Sequence, residues 1–347
     1  MKKIILCLTV FSFIMADIHI SGDARIRPRY DIKENGDGSS TSDLYYLYRA
    51  RINLKSDIGD GWFFNSKIGT NDLASFSKMG VDGDYTSGPG ITNSNRPELH
   101  FLNLYFGYMK DACGFWAGAF PLKGNSALDL HFYSDKPVDI PWTIQNNNSI
   151  TGFSGYQKIK NYKLNWFLSI DNNVVNEAID SDDNSEELKD SYTLGFNTTF
   201  KGKLISVTPR FLMSMGDEEL VPMTYGADFN LPNLAGFSSS IFYYMTSNGK
   251  EDDDFYYKGD HLRFLISRSI GSGSFKIFYD IASRDDDKTS FLWLSYSKIC
   301  YEGENGKVMI SPTFRLQNGK NVGSVVDDFD ENYSRMKFEL TTEIIFK

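Results

Sequence analysis

The chain has 347 residues, a formal net charge of −9, 15% aromatic residues with 20 Tyr, and three cysteines. It is too polar for a bundle of membrane helices, and its acidic balance gives no footprint for a nucleic-acid partner. Cys7, Cys113 and Cys300 make no disulfide framework, no Cys/His spacing suggests zinc, and neither a metal nor a cofactor is expected.

Residues 1–16 read as an export signal. Lys2 and Lys3 form the basic start, Ile4 to Met15 the apolar run, and Ala16 the small residue before cleavage at Asp17. That run is too short for a spanning helix, and no second run of spanning length follows. Residues 17–347 carry no linker and no low-complexity tract, so one domain is expected there.

Alternation with a period of two runs along this domain. Residues 17–30 put Ile18, Ile20, Ala24 and Ile26 on one face and Asp23, Arg25, Arg27 and Arg29 on the other. Residues 43–56 put Leu44, Tyr46, Tyr48, Ala50, Ile52 and Leu54 outward, with Arg49, Arg51, Asn53 and Lys55 inward. Residues 62–70 carry Lys67 inward, and 99–109 set Leu102, Leu104, Phe106 and Tyr108 outward. Strands at 115–122, 149–157, 162–171, 191–200, 203–213, 221–231, 236–247, 261–270, 274–284, 289–299 and 307–317 follow. Aromatic residues fall on both faces within 238–244 and 291–296. The last strand, 333–346, alternates Met336, Phe338, Leu340, Ile344 and Phe346 with Arg335, Lys337, Glu339 and Glu343.

The sum is sixteen strands. Short, Gly-rich connections are expected near 57–61, 110–114, 158–161, 201–202, 232–235, 271–273 and 300–306, with Cys113 and Cys300 in two of these turns and unbonded. The other connections are mostly long and acidic: 31–42, 71–98, 123–148, 172–190, 214–220, 248–260, 285–288 and 318–332. Long strands with a greasy face, a charged face and alternating turn lengths predict an all-β fold. It is a transmembrane antiparallel β-barrel of sixteen strands, with short periplasmic turns and long extracellular loops. A soluble β-sandwich or propeller also alternates, but does not place full charges on one face and aromatic and aliphatic residues on the other in nearly every strand.

With this signal, strand count, turn rhythm and penultimate Phe346, the chain resembles the sixteen-stranded porins of Gram-negative outer membranes. It departs from them in carrying Lys347 after the terminal aromatic residue. The resemblance implies a homotrimer in outer-membrane lipid and passive diffusion of small hydrophilic solutes or ions. It also implies a second loop, 71–97, that latches onto a neighbouring subunit, and a third loop, 123–148, that folds into the lumen as a constriction.

Strand parity places Arg25, Arg27, Arg49, Arg51 and Lys67 inside on strands one to three, and Arg315, Arg335 and Lys337 inside on strands fifteen and sixteen. Closure of the barrel makes these one basic wall, interrupted by Asp23, Glu339 and Glu343. Lys163, Lys203, Arg210, Arg263, Lys276 and Arg284 add charge elsewhere inside, against Asp228 and Asp280. Asp129, Asp135 and Asp139 of the third loop are candidates to face the wall. A weak anion preference is expected, because charge near the path matters more than the total. A barrel with a plugged lumen and a binding or adhesive role is the first alternative. An outer-membrane hydrolase is the second, and His19, His100, His131 and His261 sit in no recognisable nucleophile motif for it.

Overall fold

A computed structural model describes residues 18–70, 76–79, 98–122, 149–173, 190–216, 223–247, 259–284, 287–320 and 332–347. The expected signal at 1–16, the third loop with Asp129, Asp135 and Asp139, and most of the acidic loop residues lie outside these.

Sixteen strands of eight residues or more build one antiparallel sheet. They are β1 (Ile18–Asn35), β2 (Ser40–Gly59), β3 (Trp62–Gly69), β4 (His100–Met109), β5 (Cys113–Phe120), β6 (Ile150–Ile159), β7 (Tyr162–Asn172) and β8 (Ser191–Thr198). The second half comprises β9 (Ser206–Gly216), β10 (Met223–Asn230), β11 (Phe237–Ser247), β12 (Gly259–Ile270), β13 (Gly273–Arg284), β14 (Asp287–Gly303), β15 (Gly306–Lys320) and β16 (Asn332–Phe346). Two two-residue pieces, Ser77–Lys78 beside β2 and Phe200–Lys201 beside β9, extend the ladder. Each strand pairs with its chain neighbours, and β16 pairs with β1 in a register that sets Arg25 opposite Glu343 and Arg29 opposite Glu339. The sheet is therefore a closed barrel, which leaves no edge to aggregate.

Burial is inverted relative to a water-soluble protein. On β16, Phe338, Leu340 and Ile344 are 48%, 47% and 50% exposed, while Lys337, Glu339 and Glu343 are 3%, 5% and 7% exposed. An apolar band of this extent suits hydrocarbon as its solvent, and a closed barrel satisfies its own backbone there. Beside the short turns, exposed Trp62 meets Tyr108 with ring centroids 5.4 Å apart, and exposed Tyr162 meets Phe200 at 5.1 Å. Amphipathic rings at that level match a membrane–water interface. The turn between β2 and β3 shows why glycine is needed there: Gly61 has φ +94°, and a Cβ on it would meet the Met109 carbonyl oxygen at 2.7 Å.

The structure corrects several expectations. The stretch 31–42 is mostly strand, since β1 runs to Asn35 and β2 begins at Ser40, with a turn closed by Asn35 and Ser39. The stretch 285–288 is likewise short, with β13 ending at Arg284 and β14 starting at Asp287. Long connections are thus not uniform on that side of the barrel. Leu102 is buried at 4% and Phe101 is 67% exposed, because the β3–β4 register shifts between Lys67 and Ile68 and flips the parity beyond it. Lys203 lies exposed in a turn, as β9 begins only at Ser206. Cys113 opens β5 and Cys300 lies within β14, both as free thiols rather than turn residues.

The doubtful parity is also resolved. Phe291 and Trp293 align with Gln317 and Arg315 and face inward. Phe242 and Tyr244 align with Arg263 and His261 and do the same.

Candidate functional site: the interior wall at the barrel seam

The β16–β1 seam brings together residues more than 300 positions apart in sequence. Antiparallel pairing stacks the odd-numbered residues of β1, β2, β15 and β16 on the interior face. Four carboxylates organise what sits there. Asp23 lies 2.8 Å from Arg51 Nη2 and 3.5 Å from both Arg25 Nε and Arg49 Nη2. Glu343 Oε1 takes Arg25 Nη2 at 2.5 Å. Arg29 Nε donates to Glu339 Oε1 at 2.5 Å, while Glu339 Oε2 lies 3.0 Å from Arg315 Nη2 and 3.7 Å from Arg27 Nη1. Asp31 accepts two hydrogen bonds from Arg335, at 2.9 and 2.7 Å, with Lys337 Nζ at 3.9 Å.

Tyr45 links two of these groups: it accepts from Arg29 at 3.2 Å and donates to Asp31 at 3.0 Å. Arg27 crosses the seam where the β1–β16 ladder is interrupted beside Pro28, donating from Nε to Thr341 Oγ1 at 2.8 Å. Proline has no N–H to give there, so a side-chain bond supplies the cross-strand link.

Seven of the eight expected wall cations belong to this assembly. The eighth, Lys67, lies further along, aligned with Asn53 of β2 and Asn103 of β4. Two members were missed. Arg29 shares the face of Arg25 and Arg27, where strand parity already sets it, although the expected basic wall does not include it. Asp31 lies one residue beyond the expected end of the first strand at Tyr30. Within the assembly, eight cations (Arg25, Arg27, Arg29, Arg49, Arg51, Arg315, Arg335 and Lys337) face four carboxylates (Asp23, Asp31, Glu339 and Glu343). Among the described residues, Asp23, Asp31 and Glu339 each serve more than one cation and Glu343 serves Arg25, so the cations of this wall outnumber its carboxylates eight to four. Arg25 and Arg335 present the most side-chain surface, 26% and 23%.

Around the barrel the interior changes. Arg315 lies over Trp293, 4.1 Å from the ring centroid, and Trp293 stacks on Phe278 at 5.5 Å. Arg263 covers Phe278 at 4.6 Å and donates to Asp280 at 2.5 and 2.8 Å, with His261 Nε2 3.3 Å from the same carboxylate. Arg210 donates twice to Asp228, which also accepts from Tyr244. These charges are matched nearly one to one. Lys276 and Lys163 rest over the rings of Phe278 and Tyr156 at 5.5 and 3.7 Å.

No family model matches the chain, and no curated protein matches it in sequence. Solved structures do match in shape. An anion-selective porin from Comamonas acidovorans is 11% identical with a TM-score of 0.58, over 95% of this chain and 100% of that one. A mutant Rhodopseudomonas blastica porin is 13% identical with a TM-score of 0.56, over 94% and 99%. A loop-deletion form of OmpT, an outer-membrane protein of Vibrio cholerae, is 8% identical with a TM-score of 0.56, over 95% and 99%. At these identities the likeness is one of fold, and this chain has the barrel fold of outer-membrane porins.

Proposed function

We propose that the protein is an outer-membrane porin of a Gram-negative bacterium. It forms a water-filled channel for passive diffusion of small hydrophilic solutes, with a weak preference for anions. The observation that carries this reading is the seam wall, where, among the described residues, eight cations meet four carboxylates on the interior of a closed, lipid-facing barrel. Fixed charge lining a pore sets which ions enter it. In this reading residues 1–16 are the export signal, 17–347 the barrel, and the assembly a homotrimer. The chain acts as a channel rather than an enzyme: His261 is held against Asp280 within an ion pair to Arg263, a structural setting for a histidine.

Planar-bilayer recording tests the proposal. Steady single-channel steps that scale with salt are expected, with a reversal potential of anion-preferring sign in a salt gradient. Replacing Arg25, Arg27 and Arg49 together by Ala is expected to move that potential towards cations. One unit charge about 10 Å from an ion in water is worth roughly 0.4 kcal/mol, or about twofold in ion occupancy before screening. A folded barrel that gives no steps sinks the channel, and a cation-preferring wild type sinks the anion preference.

A further inference from the structure

Phe76 belongs by sequence to the second long connection, yet it is seated on the seam wall. Its position is set by the three residues that follow it. Ser77 donates from Oγ to the Thr70 carbonyl at 2.9 Å. Ser77 and Lys78 pair with Tyr48 and Leu47 of β2, and Met79 N donates to the Tyr46 carbonyl at 2.8 Å. This short return strand delivers the ring to two guanidiniums, 4.0 Å from Arg27 and 4.8 Å from Arg49. Both belong to the interior face, so the ring lies inside the barrel.

We propose that Phe76 is a selectivity-setting shield, covering Arg27 and Arg49 and withholding two of the seam's charges from permeating anions. The inference rests on the channel reading and adds a residue to it. Within one wall, the arginines that lie against a ring are the least exposed: Arg49 and Arg27 under Phe76 expose 4% and 10% of their side chains, Arg315 over Trp293 9% and Arg29 over Tyr45 11%, against 13% for Arg51, 23% for Arg335 and 26% for Arg25. An aromatic face attracts a cation and tolerates its charge, so the ring costs the arginines little. It does occupy the surface through which a hydrated anion would reach them. Arg49 has Asp23 at 3.5 Å, and Arg27 has Glu339 at 3.7 Å, both longer than the short pairs formed by Arg51 and Arg29 with the same acids. Asp23 and Glu339 thus hold the two covered guanidiniums at longer range than they hold Arg51 and Arg29, and uncovering the two adds charge to the path.

The experiment compares wild type with Phe76→Ala, Phe76→Leu and Phe76→Trp, each checked for the folded barrel by heat-modifiable gel mobility. In a potassium chloride gradient, Phe76→Ala is expected to raise the anion-to-cation permeability ratio by about twofold, from the field of charges newly facing water. Phe76→Trp is expected to keep the wild-type ratio, and Phe76→Leu to fall between them. Labelling of the folded barrel in detergent with phenylglyoxal, mapped by peptide mass spectrometry, reads the cover without any conductance. Wild type is expected to label at Arg25 well ahead of Arg27 and Arg49, and Phe76→Ala to raise labelling of those two severalfold while Arg25 stays unchanged. An unchanged or lowered ratio in a conducting Phe76→Ala channel overturns the shield alone, as does unchanged labelling. A wild-type barrel that conducts nothing overturns the channel reading and the selectivity role with it.

Discussion

Two sectors of the barrel interior bury their side chains by different physics. At the seam, β15, β16, β1 and β2 turn charges inward and satisfy them with shared carboxylates. Across β5 to β9, one row of aligned residues runs Trp116, Ser154, Phe167, Gly195, Leu212. Large and small residues alternate along it, and the Phe167 ring lies where a Cβ on Gly195 would be. Trp116, Phe120, Tyr156, Phe167 and Leu212 form one buried cluster, with Phe63 and Tyr105 packed against it. The aromatic sector packs by shape, and its charges lie against rings or in matched pairs: Lys163 rests on Tyr156, and Arg210 is held by Asp228. The seam carries a field, and its packing depends on charge pairing. Substitutions should therefore separate selectivity from stability according to the sector they strike.

Glu339→Gln is expected to have the largest effect, because it touches both properties. Its side chain is 0% exposed and serves Arg27, Arg29 and Arg315. Removing one partner from a buried ion group costs roughly 3–5 kcal/mol, since the others keep their desolvation penalty without its return. Urea unfolding of the refolded barrel should show a loss on that scale. The channels that survive should prefer anions more strongly than wild type, because three guanidiniums lose their counter-charge. A variant of normal stability would mean that Glu339 is not the hub its distances indicate.

Phe167→Ala should strike stability alone. The ring is 1% exposed, and its loss leaves a cavity over Gly195 that the stiff barrel fills poorly. Truncations of this kind cost about 3–5 kcal/mol. The unfolding midpoint should fall while the reversal potential stays at its wild-type value. A shift in selectivity would show that the aromatic sector shapes the ion path, and would blur the division between the two walls.

The alternation that predicted the barrel is strong where a strand crosses lipid, because one face must be apolar there. In 31–35 and 40–42 that requirement lapses. Polar residues such as Asp31, Lys33, Ser40 and Ser42 occupy both faces, and the pattern that marks a strand vanishes although the ladder continues. Losing those residues concealed Asp31, and with it the partner of Arg335 and Lys337. Leu102 faces inward against its sequence parity, because a bulge shifts parity without altering composition. The seam wall itself was legible, since closure of any barrel sets the last strand beside the first. Which carboxylate serves which arginine was not, because that depends on register across more than 300 residues. Phe76 gave no signal at all: a lone aromatic residue in a long polar connection has no periodicity to read.

The smallest effect is expected between the two walls, at Arg263 and Asp280. Arg263 and Asp280 are aligned across β12 and β13, and both donors of the guanidinium fork are engaged by the carboxylate. The pair is buried, with side-chain exposures of 5% and 4%, and its charges cancel at short range. Replacing both by Leu removes no net charge and trades two desolvation penalties for apolar volume beside Phe278, an exchange that is often near neutral in stability. The reversal potential should stay within error of wild type, and the unfolding free energy should change by about 1 kcal/mol or less if the leucines pack well. Asp280→Asn alone leaves Arg263 facing His261 without its carboxylate, so it should both destabilise the barrel and shift the potential towards anions. If the double replacement shifts selectivity as much as the single one, matched pairs do not cancel along the path, and the field of the seam cannot be assigned to its surplus of cations.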